Sequence, residues 1–264
     1  MQKIITKWER FFQNEHVIDT WWKRKKALFQ KRHAKIVRIN ARGKVYRVYQ
    51  SKDFFSYEYF LHISLLIREQ NKVMSIEEKI IPYLVKEQKN KIVEHKQINN
   101  RENNITIDTL QSVPHLFHDN ESYSRLAAVR YAERWWSSIN PIFSKEKHNS
   151  FSFIYQCLLA GFSQTALLEQ QTKDLGTLDD FTTYLGKIKG QEVTSPKQLR
   201  LGDIILYDFS GENKWDHATI VTAKDSQRMP LVNTQFTNCR YRYWSYEDSL
   251  MWTTKTAYKF LRIR

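Results

Sequence analysis

Cysteine, glycine and long apolar runs are all scarce in this sequence. Its two cysteines, Cys157 and Cys239, are too few for the disulfide framework of a small secreted domain. Only 7 glycines occur in 264 residues, which argues against low-complexity character. No run of 18 apolar residues is present, so no transmembrane helix is predicted. Residues 1–16 lack the basic region followed by an apolar region that marks a secretory signal peptide. The expected location is therefore cytoplasmic.

The residue patterns that bind metals and phosphates are also absent. The eight histidines are scattered, and neither a Cys-x-x-Cys nor a His-x-x-x-His pair occurs. No glycine-rich phosphate loop is present either. The sequence therefore predicts no metal site and no cofactor.

Positive charge is abundant but unevenly distributed. The net charge is +14, and residues 1–100 carry most of it, with 22 Lys and Arg against 10 Asp and Glu, a net of +12. Residues 1–50 alone hold 14 basic against 3 acidic side chains. This asymmetry indicates an acidic partner for residues 1–50, such as nucleic acid, anionic lipid or an anionic cell-wall polymer.

Residues 1–110 are predicted to form a basic N-terminal α+β module. Apolar residues at helical spacing predict one or two amphipathic helices within residues 2–32. Alternating patterns predict strands within residues 33–100, with a turn at residues 42–44. The expected module is helix packed on a curled antiparallel sheet. A polar, Asn-rich linker places the boundary near residues 100–120.

Residues 111–264 are predicted to form a second, larger α+β domain. Two helices lie within residues 123–162, the first with Ser124 as N-cap and the second ending at Gly161. A further helix is expected near residues 178–185. Strands follow near residues 204–208, 215–221, 230–235, 240–246 and 257–263. Helices followed by antiparallel strands indicate an α+β fold.

Two ordered groups of residues in this domain carry a resemblance to a known family. The first group lies in the two helices: Tyr123, Arg125, Ala127, Ala128, Val129, Tyr131, Ala132, Trp135, Trp136, Asn140, Pro141, Phe153, Gln156, Cys157, Leu158, Ala160 and Gly161. The second lies in the strands: Gly202, Asp203, Ile205, Tyr207, Asp208, Asp216, His217, Ile220, Val221, Pro230, Leu231, Val232, Asn233, Arg242, Trp244, Tyr246 and Ser249. The pattern resembles the putative amidase domain family of endospore-forming bacteria, which is similar to papain-like cysteine hydrolases. The resemblance implies a papain-like fold and a sporulation-associated bacterial protein.

The positions that imply catalysis depart from the family pattern. The family's nucleophilic cysteine falls on Ser150, its preceding aspartate on Asn149 and its second histidine on Gln235, whereas the base is kept as His217. A helix start lowers the pKa of a thiol, but a hydroxyl there does not ionise near pH 7. Ser150 would depend on His217 as general base and on Gln235 to orient the imidazole. The alternative is that Ser150 is only the N-cap of its helix.

The resemblance also implies which residues bind a ligand in the cleft, and that Cys157 is not the nucleophile. The binding residues are Asn149, Trp135, Trp136, Asp216 and Asn233. Cys157 lies about 10 Å along the helix from Ser150, away from the helix start, so a packing role is expected for it.

Three functions follow as hypotheses. In the first, the domain is a catalytically degenerate amidase relative that binds a peptide, a peptidoglycan fragment or a protein in the remnant cleft. In the second, it is an active amide-bond hydrolase that uses Ser150 with His217. In the third, the basic N-terminal module binds nucleic acid or an anionic polymer, which would make binding fall steeply with salt.

Overall fold

The chain divides into two compact units. The computed structural model describes residues 2–13, 20–51, 54–70, 72–89, 91–98, 123–143, 149–162, 190–235 and 237–264. The first unit comprises Met1–Asn104 and Glu247–Leu250, and the second comprises Ile105–Tyr246 and Met251–Arg264. Both units combine helices with antiparallel strands, so the predicted α+β class is confirmed.

The first unit begins with two helices. Helix α1 spans Gln2–Gln13 and α2 spans Thr20–Lys31, which confirms the amphipathic helices expected there. Their apolar faces pack on the sheet through Trp8, Trp21 and Trp22. The indole Nε1 of Trp8 donates to the hydroxyl of Tyr59 at 2.8 Å, which fixes α1 on the strand below.

Four antiparallel strands complete the first unit. They are β1 (Lys35–Gln50), β2 (Phe55–Arg68), β3 (Met74–Gln88) and β4 (Lys91–Gln97), paired in the order β1-β2-β3-β4. The turn predicted at residues 42–44 is wrong. Gly43 lies inside β1 opposite Leu61, because β1 stays paired with β2 along its whole length. Strand β2 buries every second side chain from Tyr57 to Ile67, as a sheet with one covered face requires.

One lysine of the first unit is buried between carboxylates. Lys25 of α2 is 2% exposed and contacts Glu77 of β3 and Asp248, the latter at 2.7 Å. Two carboxylates around one ammonium compensate the cost of removing that charge from water.

In the described part of the second unit lie the two predicted helices and a sheet of six strands. Helix α3 spans Arg125–Trp135 and α4 spans Ser150–Phe162. The strands are β5 (Gln191–Val193), β6 (Ile204–Asp208), β7 (His217–Lys224), β8 (Pro230–Thr234), β9 (Cys239–Tyr243) and β10 (Ala257–Arg262). Their order is β9-β8-β7-β6-β10-β5. The helix predicted at residues 178–185 lies outside the described residues, and β5 was not predicted.

The two ends of the helix pair differ in how well they were predicted. The hydroxyl of Ser124 accepts from the amide of Ala127 at 3.3 Å, so the N-cap of α3 is confirmed. Gly161, however, lies within α4 and does not end it. A Cβ at this position would lie 2.2 Å from Cε2 of Tyr123, so glycine is needed there for close packing.

A polar clamp joins the start of α3 to the sheet. Arg125 donates to the carboxylate of Asp203 at 2.6 Å, to the carbonyl of Leu201 at 2.9 Å and to the carbonyl of Ile263. The hydroxyl of Tyr123 donates to the carbonyl of Gly202 at 2.8 Å. The clamp anchors the helix pair on the turn that precedes β6 and on the residue after β10.

None of the helices among the described residues is both long and apolar enough to cross a membrane.

Candidate active site

The site is organised around the first turn of α4. The side chain of Asn149 accepts from the amide of Ser152 at 2.8 Å, and the hydroxyl of Ser152 accepts from the amide of Asn149 at 3.0 Å. This reciprocal pair caps the helix. Ser150 is therefore the first residue of α4, and the interpretation of Ser150 as the N-cap is wrong because Asn149 has that role.

Ser150 faces strand β7 next to the predicted base. Its side chain is only 2% exposed, and its Oγ accepts from the backbone amide of Ala218 at 3.2 Å. Ala218 directly follows His217, so two of the predicted catalytic residues lie on adjoining parts of α4 and β7.

His217 is enclosed by aromatic rings. It is 1% exposed, and the rings of Tyr207, Phe209 and Tyr246 lie 5.6, 6.0 and 5.2 Å from its own. Burial, and to a smaller extent the positive charge of Arg242, lowers the pKa of His217 to about 3. The imidazole is therefore neutral at neutral pH, and it is a much weaker base than an ordinary histidine.

Tyr246 is the direct partner of the imidazole. Its hydroxyl lies 3.1 Å from Nε2 of His217 and 3.3 Å from Sγ of Cys239. The guanidinium of Arg242 lies 3.8 Å from the centre of the Tyr246 ring, and both side chains are buried. Tyr246 matched the family pattern, but sequence reasoning gave it no role. The position of Tyr246 in the sequence does not reveal its backbone conformation. Its φ is +57°, and this turn directs the side chain to His217.

Gln235 does not orient the imidazole in this structure. Its Nε2 donates to the carbonyl of Trp135 at 2.6 Å and to the carbonyl of Ser138 at 2.7 Å. Trp135 is the last residue of α3, where the helix leaves backbone acceptors over, and Ser138 lies in the turn that follows. The side chain that lies next to the imidazole is that of Tyr246.

Comparison with known proteins shows the family of the chain. The sequence pattern of the family described as "Putative amidase domain" matches residues 122–261. The chain belongs to the putative amidase domain family. It is also 30% identical over 275 residues to the uncharacterized protein YhbB of Bacillus subtilis (strain 168), and the alignment covers 91% of this chain and 85% of that protein. No solved structure matches the chain.

Three residues that this putative amidase domain shares with the family pattern form a buried chain of hydrogen bonds. The hydroxyl of Tyr131 donates to Oε1 of Gln156 at 2.9 Å and accepts from Nδ2 of Asn140 at 2.9 Å. The amide of Ile142 in turn donates to Oδ1 of Asn140. These residues connect α3, α4 and the turn at Pro141, and they are structural.

The predicted binding residues of the putative amidase domain have structural partners of their own. Trp136 is buried at the end of α3, and Trp135 is half-buried with the guanidinium of Arg134 5.1 Å from the centre of its ring. Asn233 accepts through Oδ1 from Thr222 at 2.8 Å and from the amide of Tyr241 at 2.9 Å.

Asp216 lies on the exposed turn between β6 and β7. Its carboxylate accepts from the amide of Phe209 at 2.8 Å, and its own amide donates to the carbonyl of Tyr207. Close by, the carboxylate of Asp208 accepts from the amides of Gly211 and Asn213, both at 2.7 Å. Desolvation alone would raise the pKa of Asp208, but these amide donors hold it below its usual range. Asp216 directly precedes His217 and stabilises the turn that leads into β7.

Neither the thiols nor any acidic cluster adds a second reactive centre among the described residues. Cys157 is 0% exposed, and burial raises the pKa of its thiol. No group of three or more His, Cys, Asp or Glu side chains in the described ranges is arranged to hold a metal ion.

Proposed function

We propose that this putative amidase domain is papain-like, has lost most of its amide hydrolysis, and acts by binding a peptide, a peptidoglycan fragment or a protein. One observation carries the proposal. At the position where the resemblance places a nucleophilic cysteine, the chain has Ser150, whose buried Oγ accepts from the Ala218 amide at 3.2 Å.

The chemistry of the pair supports loss of catalysis. A serine hydroxyl becomes a useful nucleophile only when a neighbouring base removes its proton as it attacks. His217 has a pKa near 3, so it holds a proton poorly at neutral pH. A weak base beside a weakly acidic hydroxyl gives little activation.

The neighbouring changes act in the same direction. Asn149 brings a neutral amide where the family pattern has a carboxylate, and that amide is used to cap α4. Gln235 is held by the carbonyl of Trp135 at the end of α3 and by the carbonyl of Ser138 in the turn after it. Three residues of one site, at positions 149, 150 and 235, thus differ from the family pattern. Such changes are expected to accumulate once selection for hydrolysis has relaxed.

Retention of the scaffold supports a binding role. The Arg125–Asp203 clamp and the Tyr131–Gln156 hydrogen bond are buried or partly buried polar contacts. Such contacts are costly when one partner is lost, so their presence indicates that the shape of the domain is still required. The association with sporulation and the cytoplasmic location stay predictions.

A working hydrolase is the second candidate, because Ser150 contacts the residue that directly follows His217. In that mechanism the imidazole would take the hydroxyl proton while Oγ attacks a substrate carbonyl, and would then return the proton to the leaving amine. Opening of the buried site would be needed, because Ser150 and His217 are 2% and 1% exposed.

The test compares wild type with Ser150→Ala, Ser150→Cys and the double variant Ser150→Cys/His217→Gln. Each is incubated with iodoacetamide and with a panel of muropeptides and peptide amides, and products and adducts are identified by mass spectrometry. We expect no hydrolysis by wild type, and slow alkylation at position 150 in Ser150→Cys because the position is buried. The double variant should react at a similar rate, because His217 is a weak base. Binding of the same panel is measured by calorimetry.

Two results decide between the candidates. Hydrolysis by wild type that disappears in Ser150→Ala would contradict the degenerate site and support the hydrolase. Absence of both hydrolysis and binding, with Ser150→Cys unreactive and the fold intact by circular dichroism, would contradict both.

A further inference from the structure

Strand β1 of the first unit has a long outer edge. It pairs with β2 on one side, and no strand among the described residues pairs with its other side. Irregularities between Ile36 and Arg38 and between Val45 and Arg47 bracket a regular segment, residues 38–45. Eight extended residues span roughly 27 Å, and their outward N–H and C=O groups can pair with another strand.

A groove lined by both apolar and polar side chains runs beside this edge. We call it the edge groove; its volume is about 710 Å³, and it lies between α1 and residues 36–41 of β1. Its lining includes Ile5, Trp8 and Phe12 from α1, Trp22 from α2, and Tyr59 and Leu61 from β2. A groove of this size accommodates several apolar side chains.

The charge along β1 selects the partner. The strand carries five basic side chains and no acidic one, and all five are exposed: Lys35, Arg38, Arg42, Lys44 and Arg47. Lys26 of α2 also lines the edge groove, against one carboxylate from Glu9. A second copy of β1 would place cations against cations, so the edge disfavours self-pairing and favours an acidic strand.

We propose that the β1 edge and the edge groove bind an extended acidic peptide of another protein as an additional strand. Alternate side chains of that peptide enter the edge groove, and its acidic side chains meet the cations of β1. Nucleic acid and anionic lipid would use the charge but neither the unpaired backbone nor the apolar lining. This binding is independent of the role proposed for the putative amidase domain.

The experiment selects random twelve-residue peptides by display on the full chain. The counter-target is Arg38→Glu/Arg42→Glu/Lys44→Glu. A matched control, Lys23→Glu/Lys72→Glu/Lys91→Glu, changes the net charge equally at exposed positions outside β1. Thermal melts check that each variant folds. A selected peptide is then synthesised with and without N-methyl groups at alternate residues, and its binding is measured by fluorescence anisotropy.

We expect enriched peptides that alternate acidic with apolar residues. Their affinity should fall about tenfold or more on N-methylation in the register that faces β1, because several backbone hydrogen bonds are lost. The affinity should fall by a similar factor for the variant Arg38→Glu/Arg42→Glu/Lys44→Glu. It should change little for the matched control.

Several outcomes would overturn the proposal. These are no enrichment over the counter-target, affinity that ignores N-methylation at either set of alternate residues, or equal loss in the matched control. Tighter binding of a twelve-nucleotide single strand or of phosphatidylserine vesicles than of any selected peptide would assign the surface to nucleic acid or to membrane instead.

Discussion

The buried imidazole of His217 should make the folding stability of the chain depend on pH. Its pKa is lowered from 6.5 to about 3 in the folded protein, first by burial and then by Arg242. Below pH 6.5 the unfolded chain binds a proton here that the folded chain does not, so the unfolded state gains stability. The contribution of His217 is thus fully present above pH 6.5 and is lost as the pH falls toward 3.

The size of the effect follows from the proton linkage. Each pH unit between the two pKa values changes the free energy of unfolding by about 1.4 kcal/mol. Between pH 7.5 and pH 5.0, the titration of His217 should therefore lower the free energy of unfolding by about 2 kcal/mol. That is a substantial part of the roughly 5–15 kcal/mol typical of a folded protein.

Urea unfolding of wild type and of His217→Gln at pH 7.5, 6.0 and 5.0 measures this contribution. Other groups also titrate, notably His95, whose pKa burial lowers to about 4. The difference between the two proteins removes these shared contributions. At pH 7.5 the variant should be less stable than wild type because packing is lost. This gap, the difference in free energy of unfolding between the two proteins, should shrink by about 2 kcal/mol at pH 5.0. His33→Asn, at an exposed position, controls for the loss of a histidine as such.

A gap that stays constant from pH 7.5 to 5.0 would refute the reasoning, since it would mean that His217 takes up its proton equally in both states. A gap that widens as the pH falls would mean that the folded protein favours the charged imidazole. Either result would also remove the argument that His217 is a weak base.

Three further perturbations test the scaffold of the second unit. Arg125→Leu leaves the carboxylate of Asp203 without its guanidinium, and we expect a loss of about 3 kcal/mol in urea unfolding, with a loss under 1 kcal/mol contradicting a clamp role. Gly161→Ala places a methyl group 2.2 Å from the Tyr123 ring and should cost about 1–3 kcal/mol; an unchanged thermal midpoint would show that the ring moves freely. Cys157 and Cys239 are buried, so both should resist iodoacetamide at pH 8 until urea unfolds the chain, and rapid labelling of the native protein would contradict their burial.

Local signals in the sequence predicted much of the fold. Ser124 has the hydroxyl that a helix start needs, and β2 alternates apolar and polar residues, so α3 and β2 could be recognised without any tertiary information. Gly43 was misleading. Its neighbours look like a turn, but pairing with β2 keeps the strand continuous, and such pairing is not visible in a short window.

The site was predicted less completely, because its contacts join distant segments. Ser150 contacts the residue that follows His217, but the partner of the imidazole depends on a backbone turn at Tyr246. The binding of Gln235 to the end of α3 links residues 100 positions apart. Many residues that match the family pattern, including Arg125, Tyr131 and Asp203, stabilise the scaffold, so the motif reports the fold more directly than the activity.

The aromatic surroundings of His217 also provide a spectroscopic reporter. Three rings with centres 5.2 to 6.0 Å from the imidazole impose ring-current shifts on its carbon-bound protons. The histidine proton signals in a nuclear magnetic resonance spectrum should therefore include one displaced from the usual range, and His217→Gln identifies it. Any ligand that opens the space around Tyr246 will move this signal toward its ordinary position, so occupancy of the site can be followed without a label and without turnover.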